Sequence, residues 1–149
     1  MKITAQSRYA LRTLLDVALH GGEGWRAIKE IAVSQGISEK FISRLAVPLR
    51  RAGLLETGRG SKGGLRLARF PDKITLLEIV EAVDGPLALV HCLARPGDCE
   101  RQGKCAAERA WSGVNDALAA ALRRVTLADV VAEQRRLGTD GASGPEYCI

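Results

Sequence analysis

Three cysteines lie close together in the segment HCLARPGDCERQGKC, residues 91–105. Six residues separate Cys92 from Cys99, and five separate Cys99 from Cys105. Thiolates are the usual ligands of iron–sulfur clusters, and loop cysteines at these separations can wrap around a cluster, whereas zinc sites more often use pairs about two to four residues apart. The spacing therefore favours an iron–sulfur cluster, with thiols that bind no metal as the alternative. Pro96 and the glycines of the segment are expected to break any helix or strand there.

A structural disulfide is not the expected use of these thiols. The first dozen residues, MKITAQSRYALR, are charged and polar and lack the apolar stretch of a signal peptide. No apolar run approaches the length of a membrane span. We therefore expect a cytoplasmic protein that does not enter a membrane, in a reducing compartment that disfavours disulfides. A fourth cysteine, Cys148, stands apart near the C-terminus.

The composition indicates a helical domain with an anionic partner. The chain has 149 residues, of which 46% are hydrophobic and only 4% aromatic. It is long enough for one domain, or one domain with an extension, and its core of Leu, Ile, Val and Ala suits helices. The formal net charge of +5 favours a polyanionic partner, nucleic acid or an anionic membrane surface, without establishing one.

The first fifty residues predict a helix-turn-helix. Apolar spacing predicts one helix over 4–20 and a second over 26–35. Ser38 is a favourable N-cap for a third helix. Within that helix, Pro48 predicts a bend or an early end near Val47, because proline removes a backbone hydrogen bond.

A hairpin is predicted directly after the helix-turn-helix. The segment LLETGRGSKGGLRL, residues 54–67, reads as two short strands around a glycine-rich basic turn. A helix-turn-helix followed by such a hairpin is a winged helix. Thr75 and Glu78 stand in capping-box spacing, which predicts a helix over about 76–84.

A heptad pattern follows the cysteine segment. Apolar residues recur at alternating spacings of four and three, at Ala107, Trp111, Val114, Leu118, Ala121 and Val125. We call these six residues the heptad seam. Such a seam requires a partner helix, and its alanines suit close pairing across a twofold axis, so we expect a homodimer, with burial in the core of one chain as the alternative. Thr126 and Asp129 predict the N-terminus of a last short helix.

The expected fold class is α+β, mostly α: a winged helix-turn-helix DNA-binding domain with a long C-terminal dimerisation helix. The predicted division has four parts. These are the winged helix over 1–84, a cysteine-rich cluster-binding loop over 85–105, the dimerisation helix and a short terminal helix over 106–137, and a flexible tail over 138–149.

Two groups of polar residues are expected to bind DNA. The start and outer face of the third helix are expected to contact base edges in the major groove. The residues there are Ser38, Glu39, Lys40, Ser43 and Arg44. Phosphates are expected to meet Arg50, Arg51 and Lys62. A solvated polar face with no partner is the alternative.

Three stretches, in this order and spacing, resemble the IscR and NsrR type of bacterial winged-helix iron–sulfur regulator. They are MKITAQSRYALRTLLDVAL, GISEKFISRLAVPLRRAGLLETGRGSKGGLRLAR and the cysteine segment, so that the resemblance runs from residue 1 to about residue 137. It implies a homodimer in which each winged helix binds half of a roughly palindromic double-stranded DNA operator. It also implies a [2Fe-2S] or [4Fe-4S] cluster on the three cysteines, which senses iron, redox state, nitric oxide or cluster supply and so controls operator affinity. Arg59 matches the wing arginine of this family, which enters the minor groove.

A cluster normally takes four ligands, so one is missing. Glu108 lies one helical turn after the third cysteine and occupies the position where the IscR-type pattern carries a histidine. His91 is the second candidate, followed by Cys148 or a ligand from outside the chain. In some relatives an acidic residue near position 8 of the partner subunit completes the site, but this chain has Arg8 there, which cannot ligate.

Two other classes of non-enzyme fit the sequence less well. One is a cluster-free winged-helix repressor that uses a cysteine thiol switch or a corepressor protein, and the other is an electron-transfer or cluster-carrier protein. An enzyme is not expected, because the sequence has no P-loop, no G-x-S-x-G and no H-E-x-x-H. Asp16 and Glu30 are interpreted as solvated helix charges rather than catalytic carboxylates.

Overall fold

The structure, a computed structural model, describes residues 3–22 and 24–138. Seven α-helices, a 3-10 helix and a two-stranded antiparallel sheet lie within these residues. The helices are α1 (Ala5–His20), α2 (Ile28–Gln35), α3 (Glu39–Arg51), α4 (Leu76–Asp84), α5 (His91–Ala94), α6 (Ala106–Arg124) and α7 (Leu127–Arg136). The strands are β1 (Leu55–Gly58) and β2 (Gly64–Leu67), and the 3-10 helix spans Pro71–Lys73. The winged-helix fold predicted from the sequence is confirmed. The predicted tail lies outside the described residues beyond Gly138.

Local side-chain hydrogen bonds fix the starts of α3, α4 and α7, as the sequence predicted. The Ser38 hydroxyl accepts a hydrogen bond of 3.2 Å from the backbone N–H of Phe41 and begins α3. Capping boxes formed by Thr75 with Glu78 begin α4, and the corresponding pair at 126 and 129 begins α7. Each cap satisfies backbone N–H groups that the helix leaves without a partner.

One hydrophobic core joins the helix-turn-helix, the hairpin and the last helix. Leu14 of α1, Ile42 of α3 and Leu65 of β2 are fully buried in it. Leu127 of α7 is buried in the same core, so the chain returns to the winged helix at its C-terminal end. α1 is the element against which the others pack, since it contacts α2, α3, α4, β2 and α7.

Pro48 does not end α3, and the expected early end near Val47 is wrong. The helix continues to Arg51. Pro48 cannot donate to the carbonyl of Arg44, but Arg44 lies on the exposed side of the helix, where water can take the place of the missing donor. The neighbouring buried Leu49 holds this last turn against the core.

A short extended segment at Arg26 pairs with the second strand of the hairpin. Its register pairs Leu55 with Leu67 and Gly58 with Gly64. Arg26, just before α2, forms an isolated antiparallel bridge with Leu65, in which each backbone N–H donates to the other residue's carbonyl at 2.9 Å. A Cβ at Gly64 would lie 2.2 Å from the Arg26 carbonyl oxygen, so this approach requires glycine.

Candidate DNA-binding surface and cysteine segment

The residues predicted to bind DNA all lie exposed on α3 and the hairpin. They are Ser38, Glu39, Lys40, Ser43, Arg44, Arg50 and Arg51 on α3 and its N-cap, and Arg59 and Lys62 in the turn between the strands. The opposite side of α3 is buried at Ile42, Leu45 and Leu49. Because these buried residues fix the rotation of the helix about its axis, the polar residues point away from the core.

Sequence reasoning missed Val47, an apolar residue on the same exposed face. Its side chain is 43% exposed, and it lies about one helical turn after Ser43 and Arg44. With Ser43 and Arg50 it lines a shallow cleft of about 210 Å³ between α3 and the hairpin. Its separation of three and four residues from predicted base-reading positions is the signal that would have found it.

The strands of the hairpin are anchored up to the turn, and the turn itself, residues 59–62, is exposed. The Trp25 ring packs on Gly58, where an added Cβ would lie 3.0 Å from the indole. The guanidinium of Arg66 stands 4.5 Å from the centre of the same ring, in a cation–π contact. These contacts hold the strands and leave Arg59 and Lys62 facing solvent.

The interpretation of Asp16 as a solvated charge is wrong. Its side chain is fully buried and accepts hydrogen bonds from Arg26 Nε at 2.9 Å, the Ser34 hydroxyl at 2.5 Å and Gln35 Nε2 at 3.0 Å. A buried carboxylate persists when it is paired and hydrogen-bonded in this way. Its apolar neighbours in the run LLDVAL were the available signal. Glu30, in contrast, is exposed and pairs with Arg26 at 3.1 Å.

The three clustered cysteines are free thiols in different settings. Cys92 lies half-buried in the one-turn helix α5, which forms despite the expectation of no helix here because it ends before Pro96. Cys99 is exposed, and Cys105 is the half-buried N-cap residue of α6. Among the described residues, no three His, Cys, Asp or Glu side chains are grouped so that they could hold a metal ion.

The backbone around these thiols is held only by short-range hydrogen bonds. Those of residues 95–105 join positions no more than five apart, such as Asp98 to Arg95 and Lys104 to Arg101. Before the segment, the Leu89 N–H donates to the Asn115 side chain of α6 at 3.1 Å. The segment is thus tied at its two ends, and its middle can rearrange without breaking long-range contacts.

The first two candidates for a fourth ligand flank the cysteine segment along the chain, His91 at its start and Glu108 just after its end. Glu108 is half-buried in the first turn of α6, and its Oε2 accepts a hydrogen bond of 2.8 Å from the backbone N–H of Gly103. His91 is exposed at the first position of α5. The third candidate, Cys148, lies outside the described residues.

Most of α6 is exposed in the single chain. Only Ala119 and Leu122 are buried, in a small cluster with Leu77 and Leu87. The heptad seam is exposed at five of its six positions, and Leu118 is half-buried. Trp111 is 48% exposed and Val114 is 52% exposed. Large apolar side chains along one face of a long helix mark an interaction surface.

Within residues 3–22 and 24–138, no helix has both the length and the apolarity needed to cross a bilayer.

Comparison with known proteins gives a consistent set of relatives. The family model Rrf2, described as an iron-dependent transcriptional regulator, matches residues 3–133. The protein rrf2 of Nitratidesulfovibrio vulgaris is 37% identical over 131 residues, which cover 88% of this chain and 87% of the relative. The HTH-type transcriptional regulator IscR of Photorhabdus laumondii is 33% identical over 141 residues, which cover 95% and 85%. The solved structure of CymR, the global cysteine regulator of B. subtilis, superposes with a TM-score of 0.72 at 33% identity and covers 89% of this chain and 98% of that one.

Proposed function

We propose that this chain, which belongs to the Rrf2 family of transcriptional regulators, is a cytoplasmic homodimeric repressor whose affinity for DNA is controlled by an iron–sulfur cluster. The resemblance to IscR-type regulators inferred from the sequence is confirmed, and so is the expectation that the protein is not an enzyme, since its relatives are named as regulators. The single observation that carries the proposal is the group of three free thiols on a segment that leads directly into α6.

DNA is the partner proposed for the exposed polar surface formed by α3 and the hairpin turn. We propose that α3 enters the major groove, where Arg44 and Ser43 contact base edges, because both are exposed on the side of the helix away from the core. Arg59, at the exposed tip of the hairpin, is proposed to enter the minor groove, where arginine is favoured when the groove is narrow. Lys62 is assigned to phosphate contacts, as are Arg50 and Arg51 at the end of α3.

The cysteine segment fits an iron–sulfur cluster by the chemistry of its donors. Three free thiols with no other hydrogen-bonding duty are soft ligands of the kind that such clusters take. Because the hydrogen bonds of the segment are short in range, Cys99 can approach Cys92 and Cys105 by local rearrangement alone. The family description as iron-dependent supports the same assignment. When bound, the cluster supplies a redox-sensitive and iron-sensitive group at this point of the fold.

Glu108 is proposed as the fourth ligand, with His91 as the second choice. The hydrogen bond from Gly103 holds one carboxylate oxygen of Glu108 against the cysteine segment, which leaves its other oxygen for a metal. A carboxylate is a harder donor than a thiolate, so this ligand would make the site more labile, as a sensor requires.

The heptad seam is proposed as the dimer interface. A single chain leaves five of the six seam residues exposed, including Trp111. Pairing two copies of α6 across a twofold axis would bury them and place two winged helices on a roughly palindromic operator. In this arrangement the winged helix over 1–84 binds DNA, the segment 85–105 holds the cluster, and 106–137 supplies the interface.

The cluster would be coupled to DNA binding through α6 and α4. Cys105 is the N-cap residue of α6, and α6 packs on α4 through Leu122 and Leu77. A change at the cysteine segment would therefore act on the spacing of the two winged helices. A coupling free energy of about 1–3 kcal/mol would change DNA affinity roughly 5- to 150-fold.

A second candidate is a cluster-free repressor controlled by a thiol switch or a corepressor protein. Two observations favour it: Cys99 is an exposed free thiol, and the described residues show no grouped metal ligands. The same fold is found in CymR of B. subtilis, which is described as the global cysteine regulator.

The test is to select DNA from a random double-stranded library with anaerobically purified protein and then to measure the Kd of the selected duplex before and after the cluster is removed. The proposal predicts an affinity change of at least fivefold. A selected duplex whose Kd is the same in both states would contradict cluster control while retaining DNA binding.

A further inference from the structure

We infer that Arg26, held by the buried carboxylate of Asp16, is a positioning residue that sets the angle of the wing relative to α3. The inference rests on the proposed role of Arg59 in DNA binding. It assigns a role in DNA binding to Asp16 and Arg26, which are not among the residues predicted to contact DNA.

The side chain of Arg26 is clamped from two directions. Its Nε donates to the fully buried Asp16 of α1 at 2.9 Å, and its Nη1 donates to Glu30 of α2 at 3.1 Å. Asp16 in turn accepts from Ser34 and Gln35 at the end of α2. The guanidinium is therefore fixed against both helices that precede the recognition helix.

The backbone of Arg26 holds the wing. It exchanges two hydrogen bonds of 2.9 Å with Leu65 in the second strand of the hairpin. The neighbouring Gly64 lies so close that a Cβ would stand 2.2 Å from the Arg26 carbonyl oxygen. A displacement of Arg26 would consequently be transmitted to β2 and from there to the turn that carries Arg59.

Other contacts also attach the hairpin, since Leu55 and Leu65 are buried in the core and Trp25 packs on Gly58. Apolar contacts are non-directional, whereas hydrogen bonds depend on angle, so the bonds of Arg26 define the direction of the hairpin more closely. Beyond α1, the hydrogen bonds of Asp16 and Arg26 run to α2 and β2 rather than to α3, whose rotation is set by its own buried residues such as Ile42. The Asp16–Arg26 pair therefore acts directly on the wing and only indirectly on the recognition helix.

A buried ion pair could instead serve stability alone, and a double-mutant cycle separates the two roles. The variants are Asp16→Asn, Arg59→Ala and their combination, with a second cycle that pairs Asp16→Asn with Arg44→Ala. The readout is the Kd of the selected duplex, measured at a temperature where circular dichroism shows every variant folded. Glu133→Gln, which alters an exposed ion pair with Arg136 on α7, is the control.

In the unsubstituted protein, Arg59→Ala is expected to weaken binding by roughly fivefold or more. In the Asp16→Asn background, Arg59→Ala is expected to weaken DNA binding by less than about twofold, because Arg59 is no longer held where it can contact DNA. Arg44→Ala is expected to keep its full effect in the same background. The Glu133→Gln control keeps the full Arg59 effect.

Three results would overturn the inference. An undiminished Arg59 effect beside Asp16→Asn would show that the pair does not position the wing. An equal loss of the Arg59 and Arg44 effects would reduce the pair to a purely structural role. No Arg59 effect in the unsubstituted protein would overturn the proposed role of the wing itself, and that first measurement distinguishes this outcome from the other two.

If Asp16→Asn does not fold, Arg26→Lys takes its place in both cycles. It keeps a positive charge beside Asp16 but lacks the planar fork that reaches Asp16 and Glu30 together. The same reduction of the Arg59 effect is expected, and the same results would overturn the inference.

Discussion

The Glu108 carboxylate and the Gly103 backbone N–H are joined by a hydrogen bond of 2.8 Å across the junction of the cysteine segment and α6. This bond gives Glu108 a structural role in addition to the proposed ligand role. The two roles require different properties of the side chain, because a hydrogen bond needs only an acceptor oxygen, whereas iron prefers an anionic one.

Glu108→Gln is expected to separate these roles. The amide oxygen can still accept from Gly103, so the thermal unfolding temperature of the cluster-free protein should stay near that of the unsubstituted protein. A neutral amide is a poorer ligand, so the cluster should be lost faster on exposure to oxygen. The loss is followed by visible absorption against time.

Glu108→Ala completes that comparison, since it removes both the acceptor and the ligand. It should lower the unfolding free energy by about 1 kcal/mol and also speed cluster loss. An unchanged loss rate in both variants would exclude Glu108 as a ligand and direct attention to His91.

The dimer interface is tested by the same substitution at two adjacent positions of α6. Ala121 belongs to the heptad seam and Ala120 does not, yet both are exposed in the single chain. Ala121→Glu should place a charge in the paired seam and yield monomers in sedimentation or light scattering, whereas Ala120→Glu should stay dimeric. If both variants had the same oligomeric state, the dimer interface would not be the heptad seam.

Lys62 and Arg44 should differ in how they affect DNA binding. Loss of a phosphate contact in Lys62→Ala should weaken binding to all duplexes and reduce the slope of log K against log salt concentration by about 1. Arg44→Ala should instead change which duplexes are preferred. Lys73→Ala, which alters an exposed lysine away from α3 and the hairpin turn, is the control and should leave both properties unchanged. An unchanged salt slope in Lys62→Ala would remove it from the interface.

Asp84 ties the end of α4 to the start of α1, and this tie should depend on pH. It accepts hydrogen bonds from the Ser7 hydroxyl at 2.6 Å and from the backbone N–H of Thr4 at 3.2 Å. Burial disfavours the charged form, but the hydrogen bonds from Ser7 and Thr4 outweigh it and lower the pKa of Asp84 below its ordinary value of 3.8. The stabilisation is therefore fully present above about pH 3.8 and is lost as the pH falls through the lower, folded-state pKa.

Asp84→Asn should accordingly lower the free energy of unfolding at pH 7 by about 1–2 kcal/mol, and the difference from the unsubstituted protein should shrink in acid. Denaturant unfolding at a series of pH values measures this. Asp116→Asn, on the exposed surface of α6, is the control. A difference that is constant with pH would show that the charge of Asp84 contributes nothing.

The features that the sequence predicted correctly are those that depend on neighbouring residues. The caps at Ser38 and Thr75 and the glycine-rich turn of the hairpin require partners only a few positions away, so their spacing is visible in the sequence. The apolar run LLDVAL indicates that Asp16 could be buried, but its hydrogen-bond partners lie 10 to 19 positions further along, and no local pattern identifies them. Likewise, α3 continues through Pro48 because the core holds Leu49, which is a tertiary effect that overrides local propensity.

The central claim is tested most directly by measuring iron and acid-labile sulfide per chain in protein purified without oxygen, together with its absorption spectrum. We predict equal amounts of iron and sulfide with a visible absorption band, their abolition in Cys99→Ser, and their retention in Cys148→Ser. The amount per chain distinguishes a [2Fe-2S] from a [4Fe-4S] cluster. Absence of iron and sulfide, even after anaerobic reconstitution, would contradict the account and favour the thiol switch or corepressor.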